Sequence, residues 1–97
     1  MTLLYFDRCP NREETDSHLR VLAEEFPDMV ITRVRVESPE DADRVGFRGS
    51  PSVLIDGTDP FSDPDAPVGL SCRPYPTPDG LAGSPTREQL REALYAR

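Results

Sequence analysis

Three Ser-Pro pairs punctuate this chain, and one of them introduces a different kind of element from the other two. Ser38-Pro39 is followed by Glu40 and Asp41, with Gly46 a few residues on. A capping hydroxyl, a proline at the first helical position and early carboxylates define a helix start, and the glycine defines its stop. Ser84-Pro85 repeats that opening before Leu90, Ala93 and Leu94, which share one face of a C-terminal helix. Ser50-Pro51 instead runs into Val53-Leu54-Ile55, an apolar strand closed by the turn Asp56-Gly57. Read locally, a proline in that setting marks a rigid turn.

The other elements fill in around these. Leu3-Leu4-Tyr5-Phe6 is apolar throughout, as a central strand of an α/β sheet is. After Asp7-Arg8-Cys9, Pro10 fits the first position of a helix. Thr15, Leu19, Leu22 and Phe26 then recur at helical spacing until Pro27-Asp28 ends the run. From Val30 to Val36 the pattern alternates, with Val30, Thr32, Val34 and Val36 opposite Arg33 and Arg35, which predicts a half-buried strand. Thr58 to Pro67 is crowded with proline and aspartate and reads as an irregular loop. Val68 to Tyr75 is the place for a fourth strand, held to a sheet edge by Pro74 and Pro76, before a turn at Pro78-Asp79-Gly80. The order β-α-β-α-β-β-α predicts one α/β domain over residues 1–97, a four-stranded mixed sheet with three flanking helices on its two faces.

Composition narrows the function. The net charge is −7, and all 11 basic residues are arginine. An acidic surface argues against nucleic acid as the main partner, since phosphate binding needs positive charge. No apolar run approaches the roughly 20 residues of a membrane span, so no membrane partner is expected. The first residues, Met1 to Asp7, lack the basic start of a secretory signal, which predicts a cytoplasmic protein with reduced thiols. The carboxylates between Asp56 and Asp65 follow no calcium-loop spacing and read as a solvated loop. Cys9, Cys72 and His18 fall short of a closed zinc site, so neither metal nor cofactor is expected.

Cys9 stands out by its setting. A thiolate at a helix start meets unpaired backbone N–H groups and the positive end of the helix dipole, which lower a thiol pKa below its free value of about 8.5. Arg8 and Arg12 add positive charge there, and Asp7 and Glu13 oppose it. His18, two turns further along, reads as a boundary residue; Arg73 and Tyr75 read as strand-edge residues.

The element order, with Tyr5-Phe6-Asp7-Arg8-Cys9-Pro10 after the first strand and Gly49-Ser50-Pro51-Ser52-Val53-Leu54-Ile55 at the third, resembles the thioredoxin fold. More narrowly it is similar to small bacterial thioredoxin-like proteins of the DF family, some of which carry selenocysteine. The resemblance implies that Cys9 holds the nucleophile position and Pro51 the cis-proline position beside it. It further implies that Pro10, Ser50 and Pro51 form the substrate-binding surface, with the backbone before Pro51 open to an extended substrate chain. The chain departs from the Cys-x-x-Cys pattern: Cys9-Pro10-Asn11-Arg12 puts Arg12 where the resolving cysteine would stand. Thiol chemistry then runs through one cysteine, by a mixed disulfide with a small thiol or protein disulfide or by a sulfenic acid, unless Cys72 reaches Cys9 as a resolving thiol. The competing expectations are a non-catalytic scaffold that docks a partner protein, and a soft-metal or organomercurial site using both thiols.

Overall fold

The computed structural model describes residues 1–7, 9–62 and 68–97. Arg8, and the part of the predicted loop from residue 63 to 67 with its two aspartates, lie outside the described residues.

Strand β1 (Thr2–Tyr5) is central, as its unbroken apolar run predicts. It pairs in parallel with β2 (Thr32–Arg35) and antiparallel with β3 (Ser52–Leu54), in the order β2-β1-β3. Successive side chains of β1 point to opposite faces and both are covered. Leu3 joins Leu19, Leu22, Val53, Leu90 and Leu94 on the face packed by helices α1 (Asn11–Glu25) and α3 (Arg87–Ala96). Leu4 joins Val36, Ala42 and Phe47 on the other, covered by helix α2 (Pro39–Val45). Each fully buried leucine contributes about 2 kcal/mol, so α1 and α3 are held chiefly by this packing.

Helix α2 forms as its sequence predicts: the Ser38 hydroxyl accepts from the Asp41 N–H at 3.1 Å, and Gly46 ends it in a left-handed conformation. Helix α3 begins later than Ser84-Pro85 suggests. Thr86 is its cap, in a reciprocal box with Gln89, while Ser84 and Pro85 are buried ahead of it. A Thr-x-x-Gln box satisfies two orphan amides at once and outcompetes a single serine cap. Pro10 stands at the N-cap position of α1, one residue ahead of the first helical position that its sequence suggests and without a side-chain capping bond, and Phe26 closes the helix.

Two sheet expectations are corrected. Strand β2 is exposed along its whole length, with Val34 at 37% exposure; of the predicted Val30–Val36 run, Val30, ahead of the strand, is 75% exposed and only Val36, beyond its end, is buried. It is an edge strand, and its arginines pair with carboxylates in solvent: Arg33 with Asp16, Arg35 with Asp7 and Glu37. The four-stranded sheet is not formed among the described residues. Strand β4 (Tyr75–Thr77) pairs with β5 (Gly80–Ala82) as a separate two-stranded sheet. Pro74 and Pro76 carry no N–H, which leaves the segment too few donors to extend a ladder along β3. Ile55 meanwhile bonds back to Thr58 across Asp56 and Gly57, both at positive φ, so the chain reverses at once. Among the described residues no helix is long and apolar enough to cross a membrane.

Candidate active site: a cysteine pair on Ser50

Ser50 is a buried junction. Its hydroxyl accepts from the Phe6 N–H at 3.4 Å, just past the end of β1. Its carbonyl accepts from the Cys9 thiol at 3.3 Å and from the Arg73 N–H at 2.9 Å. Its own N–H donates to the Ser71 carbonyl at 2.7 Å. Ser50 and Cys72 thus form an isolated parallel bridge, and the Ser50–Pro51 bond beside it is cis. The backbone edge that the resemblance reserves for a substrate chain is occupied by the protein's own residues 71–73.

That bridge carries Cys72 onto Cys9. The Cys72 thiol donates to the Cys9 sulfur with the two Sγ atoms 3.3 Å apart, and both cysteines are free. A disulfide S–S bond is about 2.05 Å, so a short closure joins them. The two thiols differ in access: Cys9 is 1% exposed, whereas Cys72 is exposed. Cys72 holds its proton more tightly than a free thiol does, first because of the hydrogen bond to Cys9, then through partial desolvation and the Cys9 charge. Replacing Cys9 by alanine removes the bond that retains this proton. Iodoacetamide is therefore expected to alkylate Cys72 faster at neutral pH in Cys9→Ala than in the native protein, and an unchanged rate would refute the shared proton.

The segment holding Cys72 is pinned from the next residue on. Arg73, 7% exposed, points inward; its guanidinium reaches Asp59 at 2.6 Å, the Ser52 hydroxyl at 3.2 Å and the Phe61 carbonyl. It also lies over the Tyr75 ring, 4.8 Å from the centroid. Tyr75 is fully buried and donates its hydroxyl proton to the Pro51 carbonyl, and burial raises the pKa of its phenol. Arg73 is thus a buried tether just ahead of β4, and Tyr75, which opens β4, is buried as well as lying on a strand. Half-buried Asp59 is tied to Arg73 rather than standing free in a solvated loop. Gly49 lets the two segments meet: at φ +117° it lies against Arg73, and an added Cβ would stand 2.8 Å from the Arg73 Cβ.

The remaining sequence candidates sit apart from this contact. Arg12 is half-buried with its guanidinium 4.5 Å above the centroid of Tyr5, and Pro10 is exposed. His18 is half-buried, its Nδ1 has no hydrogen-bond partner among the described residues, and it lines a groove with Glu14, Thr77 and Asp79 that does not include Cys72. Among the described residues no three His, Cys, Asp or Glu side chains group as a metal site. A groove of about 670 Å³ between Phe61 and α3 contains neither cysteine. Sequence reasoning missed Gly49, Asp59 and the inward Arg73; the glycine directly before Ser50-Pro51 was the one local hint of a close approach.

Fold and site together define an α/β domain with two adjacent thiols, one buried and one open, bridged across a cis-proline turn. No protein-family model matches the chain, and neither a curated protein nor a solved structure matches it.

Proposed function

We propose that the protein is a thioredoxin-like, thiol-dependent oxidoreductase whose redox couple is Cys9 with Cys72. The observation that carries this reading is the 3.3 Å Sγ–Sγ separation between residues 63 positions apart. Cysteine at the start of α1, cis-Pro51 beside it and the strand order β2-β1-β3 support the thioredoxin-like assignment. Arg12 still excludes a dithiol within Cys-x-x-Cys, and Cys72 supplies the second thiol from elsewhere in the chain. The couple cycles between two thiols and one disulfide: two electrons and two protons leave Cys9 and Cys72 for an oxidised acceptor and return from a reduced donor. The partners are a small thiol or a disulfide substrate; neither nucleic acid nor a membrane enters the reading.

Intact-mass measurement after treatment with excess glutathione disulfide tests it. The expected product is a protein lighter by two hydrogens with a Cys9–Cys72 cross-link in its peptide map. A fully reduced protein, or one that keeps stable adducts on both cysteines, would overturn the reading.

A further inference from the structure

Resting on that redox couple, we infer that Cys72 is the attacking thiol, Cys9 the resolving thiol, and the substrate a low-molecular-weight disulfide seated beside Cys72. This reverses the roles expected from sequence, in which Cys9 attacks.

Access decides the order. Thiol–disulfide exchange needs an unobstructed line between the attacking sulfur and the target sulfur. Cys9 is 1% exposed, its thiol is engaged by the Ser50 carbonyl, and Cys72 lies against its sulfur at 3.3 Å. No substrate sulfur meets Cys9 without displacing the 71–73 segment, which Arg73 and Asp59 hold in place. Cys72 is exposed and opens on a groove of about 330 Å³ whose walls include Asn11, Pro74, Leu81, Ala82 and Gly83. The proton Cys72 shares with Cys9 slows its attack, because it lowers the thiolate fraction, but burial of Cys9 prevents contact altogether.

The same geometry selects substrate size. An extended peptide would be held by main-chain hydrogen bonds to an open sheet edge, yet both the N–H and the carbonyl of Ser50 are already bonded to residues 71–73. The groove is shallow and open, with the Asn11 side chain lying against Gly83, where an added Cβ would stand 2.3 Å from it. With the Ser50 edge taken, an extended chain has no ladder to join there, whereas a compact disulfide needs only the open approach to Cys72.

The chemistry balances as follows. Cys72 loses its proton to solvent and its thiolate attacks one sulfur of R–S–S–R, forming Cys72–S–S–R and releasing RS⁻, which takes up a proton. Cys9 then gives up its proton, and its sulfur attacks the Cys72 sulfur from the side it already faces. The Cys9–Cys72 bond forms, the bond to R breaks, and the second RS⁻ leaves to be protonated. Two protein thiols are oxidised and one small disulfide is reduced to two thiols.

The test reacts native protein, Cys9→Ser and Cys72→Ser with glutathione disulfide, followed by acid quenching and intact-mass analysis. Cys9→Ser is expected to accumulate a stable single glutathione adduct on Cys72. Folded Cys72→Ser is expected to react more than about tenfold more slowly, its remaining thiol being shielded. Should Cys9→Ser not fold, early quenching of the native protein reports the same point: the transient adduct maps to the Cys72 peptide. A faster adduct on Cys72→Ser, or a transient adduct mapped to Cys9, overturns the assignment while leaving the redox couple intact. No internal disulfide in the native protein overturns the couple itself. Insulin disulfides reacting faster than glutathione disulfide would overturn the substrate class.

Discussion

Arg73→Ala is expected to lower stability by about 3–5 kcal/mol, because it leaves the Asp59 carboxylate half-enclosed without its cation. The pair is not a surface ion pair. Arg73 is 7% exposed and Asp59 20%, and the guanidinium also serves the Ser52 hydroxyl and the Phe61 carbonyl. Removing it therefore leaves three acceptors short of a donor, whereas each exposed pair along β2 contributes no more than about 1 kcal/mol. For a domain whose whole stability is about 5–15 kcal/mol, the loss is severe. The melting temperature should fall by roughly 12–40 °C, read by circular dichroism. The same substitution frees the segment that carries Cys72, so oxidation of the surviving folded fraction should yield mixed disulfides in place of the internal bond. A variant that melts within a few degrees of the native protein would show that the buried ion pair is not what holds this segment.

Gly49→Val is expected to separate the two thiols even where the fold survives. A side chain at Gly49 meets two obstacles. Its φ of +117° lies where β-branched residues do not go, and its Cβ would meet the Arg73 Cβ at 2.8 Å and the Arg73 backbone just beyond. Backbone strain of this kind costs about 1–3 kcal/mol, and overpacking adds a similar amount. The contact that yields is the one between Gly49 and residues 71–73, since β3 is locked to β1. Cys72 should then move off Cys9, and the Cys9–Cys72 cross-link should form at least about tenfold more slowly with glutathione disulfide, following the loss of effective concentration. Cross-linking at the native rate would mean that the 71–73 segment reaches Cys9 by some other path.

Much of the architecture was legible because it depends on neighbours within a few residues. Ser38-Pro39 and Gly46 bound α2 by capping alone, Asp56-Gly57 reverses the chain after β3, and the apolar run of β1 identifies it as central. The misjudged start of α3 has the same local character, since Thr86 and Gln89 were present to be read as a box. Strand β2 was harder. Its alternation is real, but alternation does not say whether a strand lies inside a sheet or at its edge, and β2 lies at the edge.

Cys9 shows where the sequence's authority ends. Its place ahead of α1 and the turn at Ser50-Pro51 follow from caps, prolines and apolar spacing; that Arg12 stands where a second cysteine would be expected follows only from the resemblance. The partner of Cys9 does not follow from any of these. Cys72 arrives through the bridge to Ser50, the room left by Gly49 and the inward pull of Asp59 on Arg73, contacts between segments 14 to 63 residues apart. Local patterns record what a residue does to its own backbone. Which thiol is buried and which meets solvent is decided only when distant segments compete for the same space.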